Sequence, residues 1–254
     1  MTRIAVTGAG GNVGRESLTA LEDHDVTPIT HSEHDDIDSV RCDVTDYDAL
    51  SDALSGHDVV VHLAANPSPE ADWRSTVDVN IEGTRNVFEA AREHGIRRVV
   101  FASSNHAVGM YNAADRTKTE TMTTGTAEPI SHDDPPRPDS YYGVSKVTGE
   151  ALGTYYADRH DIEVVNLRIG WLLPEDGLRD TQDEPEEHAR FARAMWLSPR
   201  DCRDVIRTAV TSDLPERAVT AHATSRNDDR FLSLLWAERA LGYRPRDNAT
   251  EVLD

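Results

Sequence analysis

Three features of the 254-residue sequence predict an α/β fold: a doubly wound parallel sheet with a small C-terminal portion. Strand-like apolar runs alternate with segments of helical period at short spacing, the pattern of right-handed β-α-β units. Two runs, residues 59–63 and 98–102, are apolar almost throughout, as in strands covered on both faces. The first run, residues 3–7, passes directly into a cluster of glycines and then into a helical segment.

Each element follows from its residues. After the strand at 3–7, residues 14–21 have helical spacing and 26–30 read as a second strand. Asp43 and Val44 end a short third strand, and 46–55 is a helix with Leu50 and Leu54 at i, i+4. The strand at 59–63 precedes a long helical period over 77–94, stopped by Gly95. A buried-type strand at 98–102, a second long helix at 142–160 and a strand at 163–168 follow. Between them, 110–138 is long, polar and irregular, and such segments are functional or disordered. Beyond Gly170 the pattern loosens. Residues 175–187 read as an acidic loop, 189–197 and 201–209 as helices, and 231–241 as a terminal helix before the turn-rich 242–248.

Composition narrows the function. There are 46 Asp+Glu against 26 Lys+Arg, a formal charge of −20. That field repels phosphate backbones and anionic lipid, so neither a nucleic acid nor a membrane partner is expected. No apolar run approaches the ~20 residues of a membrane span. The opening MTRIAVTGAGG is a strand running into glycines, not a charged segment leading an apolar one, so a cytoplasmic protein is expected. Cys42 and Cys202 give no disulfide framework, and no His/Cys/Asp set has metal-ligand spacing, so metal-free chemistry is expected. The basic residues are 24 Arg and 2 Lys, Lys118 and Lys146. Acid excess with almost no lysine reads as adaptation to salt, since a Debye length of ~3 Å at molar salt makes a self-repelling surface tolerable. Disorder is the competing reading of high charge, and the strong periodic segments oppose it.

Residues 7–14, TGAGGNVG, set Gly8, Gly11 and Gly14 in G-x-x-G-x-x-G between the first strand and the first helix. Such glycines allow a tight turn and close approach of backbone to a pyrophosphate, and the helix N-terminus offers free N–H groups and its positive dipole end. A dinucleotide held at Gly8, Gly11, Asn12 and Val13 is the expected cofactor; a purely structural turn is the alternative. Where NAD sites carry an acid for the ribose 2′-hydroxyl, this chain has Thr30 and His31, with Glu33 the nearest acid and no arginine for a 2′-phosphate. NAD is expected in preference, with NADP left open. Asp43-Val44 resembles the pair that contacts adenine in this class; a strand-end turn is the alternative for Asp43. The expected division is a Rossmann-type dinucleotide domain over 1–170 and a slight substrate-binding portion over 171–254, packed as one unit.

Tyr142 and Lys146 form Y-x-x-x-K at the start of a helix, and i, i+4 spacing puts both on one face. An ammonium beside a phenol lowers its pKa from ~10, which suits it to general acid–base work. The alternative is an ordinary helix pair. The motif follows a dinucleotide turn, and it holds one of only two lysines where arginine has replaced the rest.

Together these residues resemble the extended short-chain dehydrogenase/reductase superfamily, the NAD-dependent epimerases and dehydratases, over nearly the whole chain. His62-Leu63-Ala64-Ala65, Asn80 and Phe101-Ala102-Ser103-Ser104 carry the likeness further. The resemblance implies a catalytic trio of Ser104, Tyr142 and Lys146. It also implies that Leu63, Ala64, Ala65 and Ile169 line the cofactor, and that Asn80 anchors a structural water reaching Lys146. Within the superfamily, FASSNHAVG at 101–109, Arg137-Pro138-Asp139, AMWLSPRDC at 194–202 and GYRPRDN at 242–248 are similar to uronate dehydrogenases. The same places resemble the NAD-dependent glucose-6-phosphate dehydrogenases of salt-adapted archaea, favoured by DRT at 115–117 and the AMWLS run.

Both groups oxidise the anomeric carbon of a pyranose to a lactone. The likeness therefore implies oxidation of a sugar C1 hydroxyl, with uronate, aldose phosphate and free aldose all open. Ser104, Asn105 and His106 would contact sugar hydroxyls, a task planar donors and acceptors suit; a capped strand end is the alternative. Uronate dehydrogenases place an arginine shortly before Trp196. Here Phe191 falls at that position, with Arg190 and Arg193 on either side. Either arginine would hold the anionic group of a uronate or sugar phosphate, or both lie on a helix surface. His62 reads as a hydrogen-bonded core histidine, and His31 and His34 as solvated. The long helices at 77–94 and 142–160 would, by resemblance, pair two copies into a dimer. Two rival readings are a nucleotide-sugar epimerase or dehydratase, whose C-terminal part is usually larger, and a non-catalytic dinucleotide-binding regulator, which typically lacks the Tyr/Lys pair.

Overall fold

The computed structural model describes residues 1–254. Its strands are β1 (Arg3–Thr7), β2 (Asp25–Thr30), β3 (Val40–Arg41), β4 (Val59–His62), β5 (Arg98–Ser104), β6 (Glu163–Ile169), β7 (Trp171–Leu172), β8 (Trp196–Leu197) and β9 (Ala218–Ala223). Seven form one sheet in the order β3-β2-β1-β4-β5-β6-β9, parallel throughout, and β7 and β8 pair separately. The order reverses between β1 and β4, which opens a crevice at the carboxyl ends of those strands.

The sheet is apolar on both faces, and the period of two divides its residues between two cores. Ile4, Val6, Val59, Val61, Val100 and Leu167 pack with Val205, Ile206 and Ala237 on one side. Ala5, Val60, Val99 and Val164 pack with Leu50, Leu54, Val87, Phe88 and Tyr156 on the other. The helices supplying those residues are α1 (Asn12–Ala20), α2 (Tyr47–Leu54), α3 (Trp73–Ser75), α4 (Gly83–Glu93), α5 (Tyr141–His160), α6 (Glu175–Asp180), α7 (Glu186–Met195), α8 (Pro199–Thr211), α9 (Leu235–Leu241) and α10 (Ala249–Leu253). None is long and apolar enough to cross a membrane. Helix α5 starts at Ser140, whose hydroxyl accepts the Gly143 N–H at 3.1 Å, and stops at a left-handed Asp161.

Several expectations are corrected. The helix expected from residue 77 starts earlier, at Trp73 behind the Asp72 cap, and passes through a π-helical stretch at Thr76–Glu82 before α4. The third strand ends at Arg41, so Asp43 and Val44 lie just past it. Residues 175–187 are not a loop: α6 and α7 each begin after a proline, with two acids in the first turn, where the helix dipole favours them. Helix α7 ends at Met195, and Trp196 and Leu197 pair with β7 instead. The terminal helix begins at Leu235, because Leu232 bridges to Ile130. Strand β9 and helix α10 had no counterpart in the sequence reading. With β9 in the main sheet and α8 packed beneath it, residue 170 does not divide sheet from substrate portion.

The polar segment 110–138 is packed down. Met122 and Ile130 join a small core with Val108, Phe191, Met195, Phe231 and Leu232. A backbone bond from Met110 N to Arg137 O at 3.0 Å ties its two ends together, and one from Met122 N to Glu187 O at 2.9 Å pins its middle to α7. Packed in this way, it brings Glu120 to the crevice.

Candidate active site

Two cavities share Gly8, Ala64 and Ala65 at the reversal point of the sheet, one of about 460 Å³ and one of about 330 Å³. Gly8 turns with φ +71°, and a Cβ there would sit 2.7 Å from Ala64 N, so the turn needs glycine on both counts. Gly11 caps α1 without a side chain to use its N–H groups, while Gly11, Asn12, Val13 and Gly14 all line the larger cavity. A bare helix N-terminus with a side-chain-free cradle fits the pyrophosphate of a dinucleotide. At the adenosine end, His31, Asp43 and Val44 line the smaller cavity. The Asp43 carboxylate accepts the Thr45 N–H at 2.9 Å, which holds it below the usual carboxylate range, and lies 3.5 Å from His31 Nε2. Thr30 is turned inward to the Ser39 hydroxyl, leaving the position to His31.

The three residues expected to be catalytic lie at neighbouring places, two of them on the larger cavity. Ser104 ends β5 and Tyr142 opens α5, and both line the larger cavity. Lys146, one turn on, is buried; its Nζ donates to Ala102 O at 2.7 Å and lies 5.3 Å from the Tyr142 ring centroid. Burial pulls the Lys146 ammonium down to about 7. Burial also pushes the Tyr142 phenol up to about 12, with the neighbouring Ser104 hydroxyl pulling the other way. The shift is thus set by burial and runs opposite to the acidic phenol expected beside Lys146. His62 is the core histidine expected, bonded to Thr7 and Thr84 hydroxyls at 2.7 and 3.1 Å and held to about 3 by burial.

The residues expected to contact a sugar, Asn105 and His106, follow in a 3₁₀ turn, Asn105–Val108, which the Ser104 hydroxyl caps by accepting the His106 N–H at 3.2 Å. Asn105 donates to Ile169 O at 3.3 Å, and its Oδ1 is buried with no partner. His106 meets Asp139 through Nδ1 at 2.9 Å and stands edge-on to Tyr142, ring centroids 5.5 Å apart. Burial lowers the imidazole value, but the Asp139 and Glu120 carboxylates more than offset it, and His106 rises to about 9. Trp171, Leu172 and Phe191 wall the cavity opposite.

Four expected residues sit elsewhere. Arg190 is spent on Asp229 and the Thr123 carbonyl, and Arg193 on Asp229, Gln182 and Glu186; neither lines the cavity. Asn80 bonds Asn66 twice, at 2.7 and 3.0 Å, and Ser145 at 3.1 Å, so it braces the cavity wall from behind rather than lining it. Ile169 faces the main core, and Gly170 takes its place at the lining. Glu120 and Asp139 were not assigned roles from sequence. Asp139 lay within a motif already noted, whereas Glu120 had no signal.

The model of the NAD dependent epimerase/dehydratase family matches residues 4–195. The chain is 60% identical, over the full length of both, to an L-arabinose 1-dehydrogenase (NAD(P)(+)) of Haloferax volcanii. It is 40% identical to an NAD-dependent glucose-6-phosphate dehydrogenase of the same organism, covering 98% of this chain and 94% of that one. A crystal structure of a uronate dehydrogenase variant from Agrobacterium tumefaciens, complexed with NAD, superposes with a TM-score of 0.79 at 30% identity, covering 99% and 87% of the two chains. With its glycine turn, its Tyr142/Lys146 pair and a family match over most of its length, the chain belongs to the NAD dependent epimerase/dehydratase family.

Proposed function

We propose that this oxidoreductase, an NAD(P)-dependent sugar dehydrogenase in kind, oxidises the anomeric C1 hydroxyl of a neutral aldose to the lactone. The supporting observation is electrostatic. Besides the buried Lys146 and His106, no cation borders the sugar end, and the one acid lining it is Glu120. Both arginines that would hold a carboxylate or phosphate are already paired. The 60% identical relative carries a neutral pentose in its name. NAD is the preferred dinucleotide, since the adenosine cavity has no arginine to hold a 2′-phosphate.

Hydride acceptance is the chemistry a bound dinucleotide supplies. The chain supplies the rest. Gly8 and the α1 N-terminus hold the pyrophosphate, and Asp43 and Val44 border the adenine. Tyr142 Oη takes the C1 hydroxyl proton as hydride leaves C1, and the Ser104 hydroxyl holds the same oxygen. Lys146 places its positive charge below the phenol and favours the phenolate when both ionise. Products are lactone, reduced dinucleotide and one proton. Leu63, Pro67, Trp171 and Phe191 exclude water from the reacting carbon.

The test is reduction of NAD and of NADP in molar KCl with L-arabinose, D-glucose, D-glucuronate and D-glucose 6-phosphate. A neutral sugar should give the highest kcat/KM. Higher values for either anion would refute the neutral-sugar reading, and no turnover on any sugar would refute the dehydrogenase. A clearly lower KM for NADP would overturn the cofactor preference.

A further inference from the structure

Glu120 sits in an unusual backbone state. Its φ is +59°, in the left-handed region that favours glycine and where glutamate is uncommon. Strain of this kind persists only where surroundings over-determine it. Here His188 Nδ1 lies 3.0 Å from the Glu120 carbonyl, and Met122, two residues on, is buried with its N–H donating to Glu187 at 2.9 Å. The main chain is held, so the side chain is delivered into the cavity it lines.

What it meets there is half of a hydrogen-bonding pair. His106 Nδ1 is taken by Asp139 at 2.9 Å, and the Asp139 side chain is only 3% exposed. Nε2 has no hydrogen-bond partner; Glu120 Oε1 is 3.7 Å away, beyond hydrogen-bond reach. A protonated imidazole thus presents a free N–H, and facing it is a carboxylate that only accepts. A hydroxyl is the small group that accepts from one and donates to the other. The imidazolium and two carboxylates together carry one net negative charge, so an anionic substituent is opposed here.

We propose that His106 Nε2 and the Glu120 carboxylate together seat one hydroxyl of a neutral sugar, and that Glu120 is the residue that rejects uronates and sugar phosphates. This rests on the neutral-sugar reading above. It makes Glu120 a substrate contact from the 110–138 segment, and it assigns the two carboxylates different work. Asp139 orients the imidazole from the buried side. Glu120 completes the hydroxyl seat from the open side and sets the charge rule.

The experiment compares wild type with Glu120→Gln and Glu120→Ala, each first checked for unchanged melting temperature and NAD affinity. Glutamine keeps an acceptor oxygen but no charge. KM for L-arabinose should rise less than in Glu120→Ala, while kcat/KM for D-glucuronate relative to L-arabinose should rise ~10-fold or more, about the effect of one nearby unit charge. Alanine removes the acceptor, so KM for L-arabinose should rise ~10-fold with a smaller loss in kcat. An unchanged glucuronate-to-arabinose ratio in Glu120→Gln, or an unchanged KM in Glu120→Ala, overturns the proposal while leaving the dehydrogenase intact. If wild type itself prefers the anions, the neutral-sugar reading fails first.

Discussion

Replacing Lys146 by Met should abolish turnover and yet stabilise the fold at acid pH. The Lys146 value falls from 10.5 to about 7 because the ammonium is buried. At ~1.36 kcal/mol per unit, keeping that charge inside costs about 5 kcal/mol wherever the group is ionised in both folded and unfolded states, which is below about pH 7. Methionine removes that cost. It also removes the bond to Ala102 O, at 2.7 Å, and an unpaired buried carbonyl returns ~1–3 kcal/mol. The net is a gain of ~2–4 kcal/mol, or roughly 5–10 °C in melting temperature for a chain of this size. Folding depresses the lysine value, so wild-type stability rises with pH between about 7 and 10.5 as the folded group sheds its proton first. The advantage of Lys146→Met should therefore be largest at pH 6 and nearly gone by about pH 10. Thermal unfolding of both proteins in molar KCl, compared at each pH, cancels every other titrating group. A melting difference that is negative at pH 6, or the same at both pH values, would refute the reasoning.

Tyr142→Phe keeps the ring packing and removes the proton acceptor, so kcat on the best sugar should fall ~10²–10⁴-fold with the dissociation constant for NAD unchanged; near wild-type turnover would end the assignment. Arg193→Ala should leave KM for L-arabinose within ~2-fold, because its side chain neither lines the cavity nor bonds the 110–138 segment. Arg190→Ala should speed proteolysis within 110–138, since Arg190 holds the Thr123 and Gly125 carbonyls. Glu150→Gln should cost ~3–5 kcal/mol in denaturant unfolding, because it strips the carboxylate that Arg168 grips through Nε and a terminal nitrogen, both at 2.9 Å, in the interior.

The parts legible in the sequence are those whose chemistry is fixed within one turn of chain. The glycines at 8, 11 and 14 and the pair at 142 and 146 are read from local spacing alone; the glycines and Tyr142 line the larger cavity, and Lys146 lies buried against Ala102 O. Strands β1, β4 and β5 were equally plain, because burial on both faces leaves an unbroken apolar run. What was hidden depends on distant partners. Strand β9, AVTAHA, mixes small and polar residues, and only its neighbour β6 makes it a strand. Glu120 reaches His106 only because a third core pins the segment that carries it. The acidic stretch at 175–187 looked like solvated loop, since its helices are set by their prolines and first-turn acids rather than by an apolar stripe.

Arg190 and Arg193 show why a charge pattern misleads in this chain. With 46 acids to 26 bases, a guanidinium near the surface is met by a carboxylate, and most arginines here are paired in that way. Unpaired positive charge is thus the scarce commodity, and Lys146 has it. Buried beneath Phe101 and Tyr142, at 5.1 and 5.3 Å from their ring centroids, it has no carboxylate within ion-pair distance. An acid partner would restore the lysine to its ordinary value and make the fold more stable. It would also neutralise the field at the phenol when the proton leaves C1. The about 5 kcal/mol that burial costs is what an unpaired ammonium at this place imposes on the fold. The same reasoning accounts for a lysine here: its compact ammonium fits between two rings and a carbonyl, whereas a planar guanidinium would need further acceptors that this site lacks.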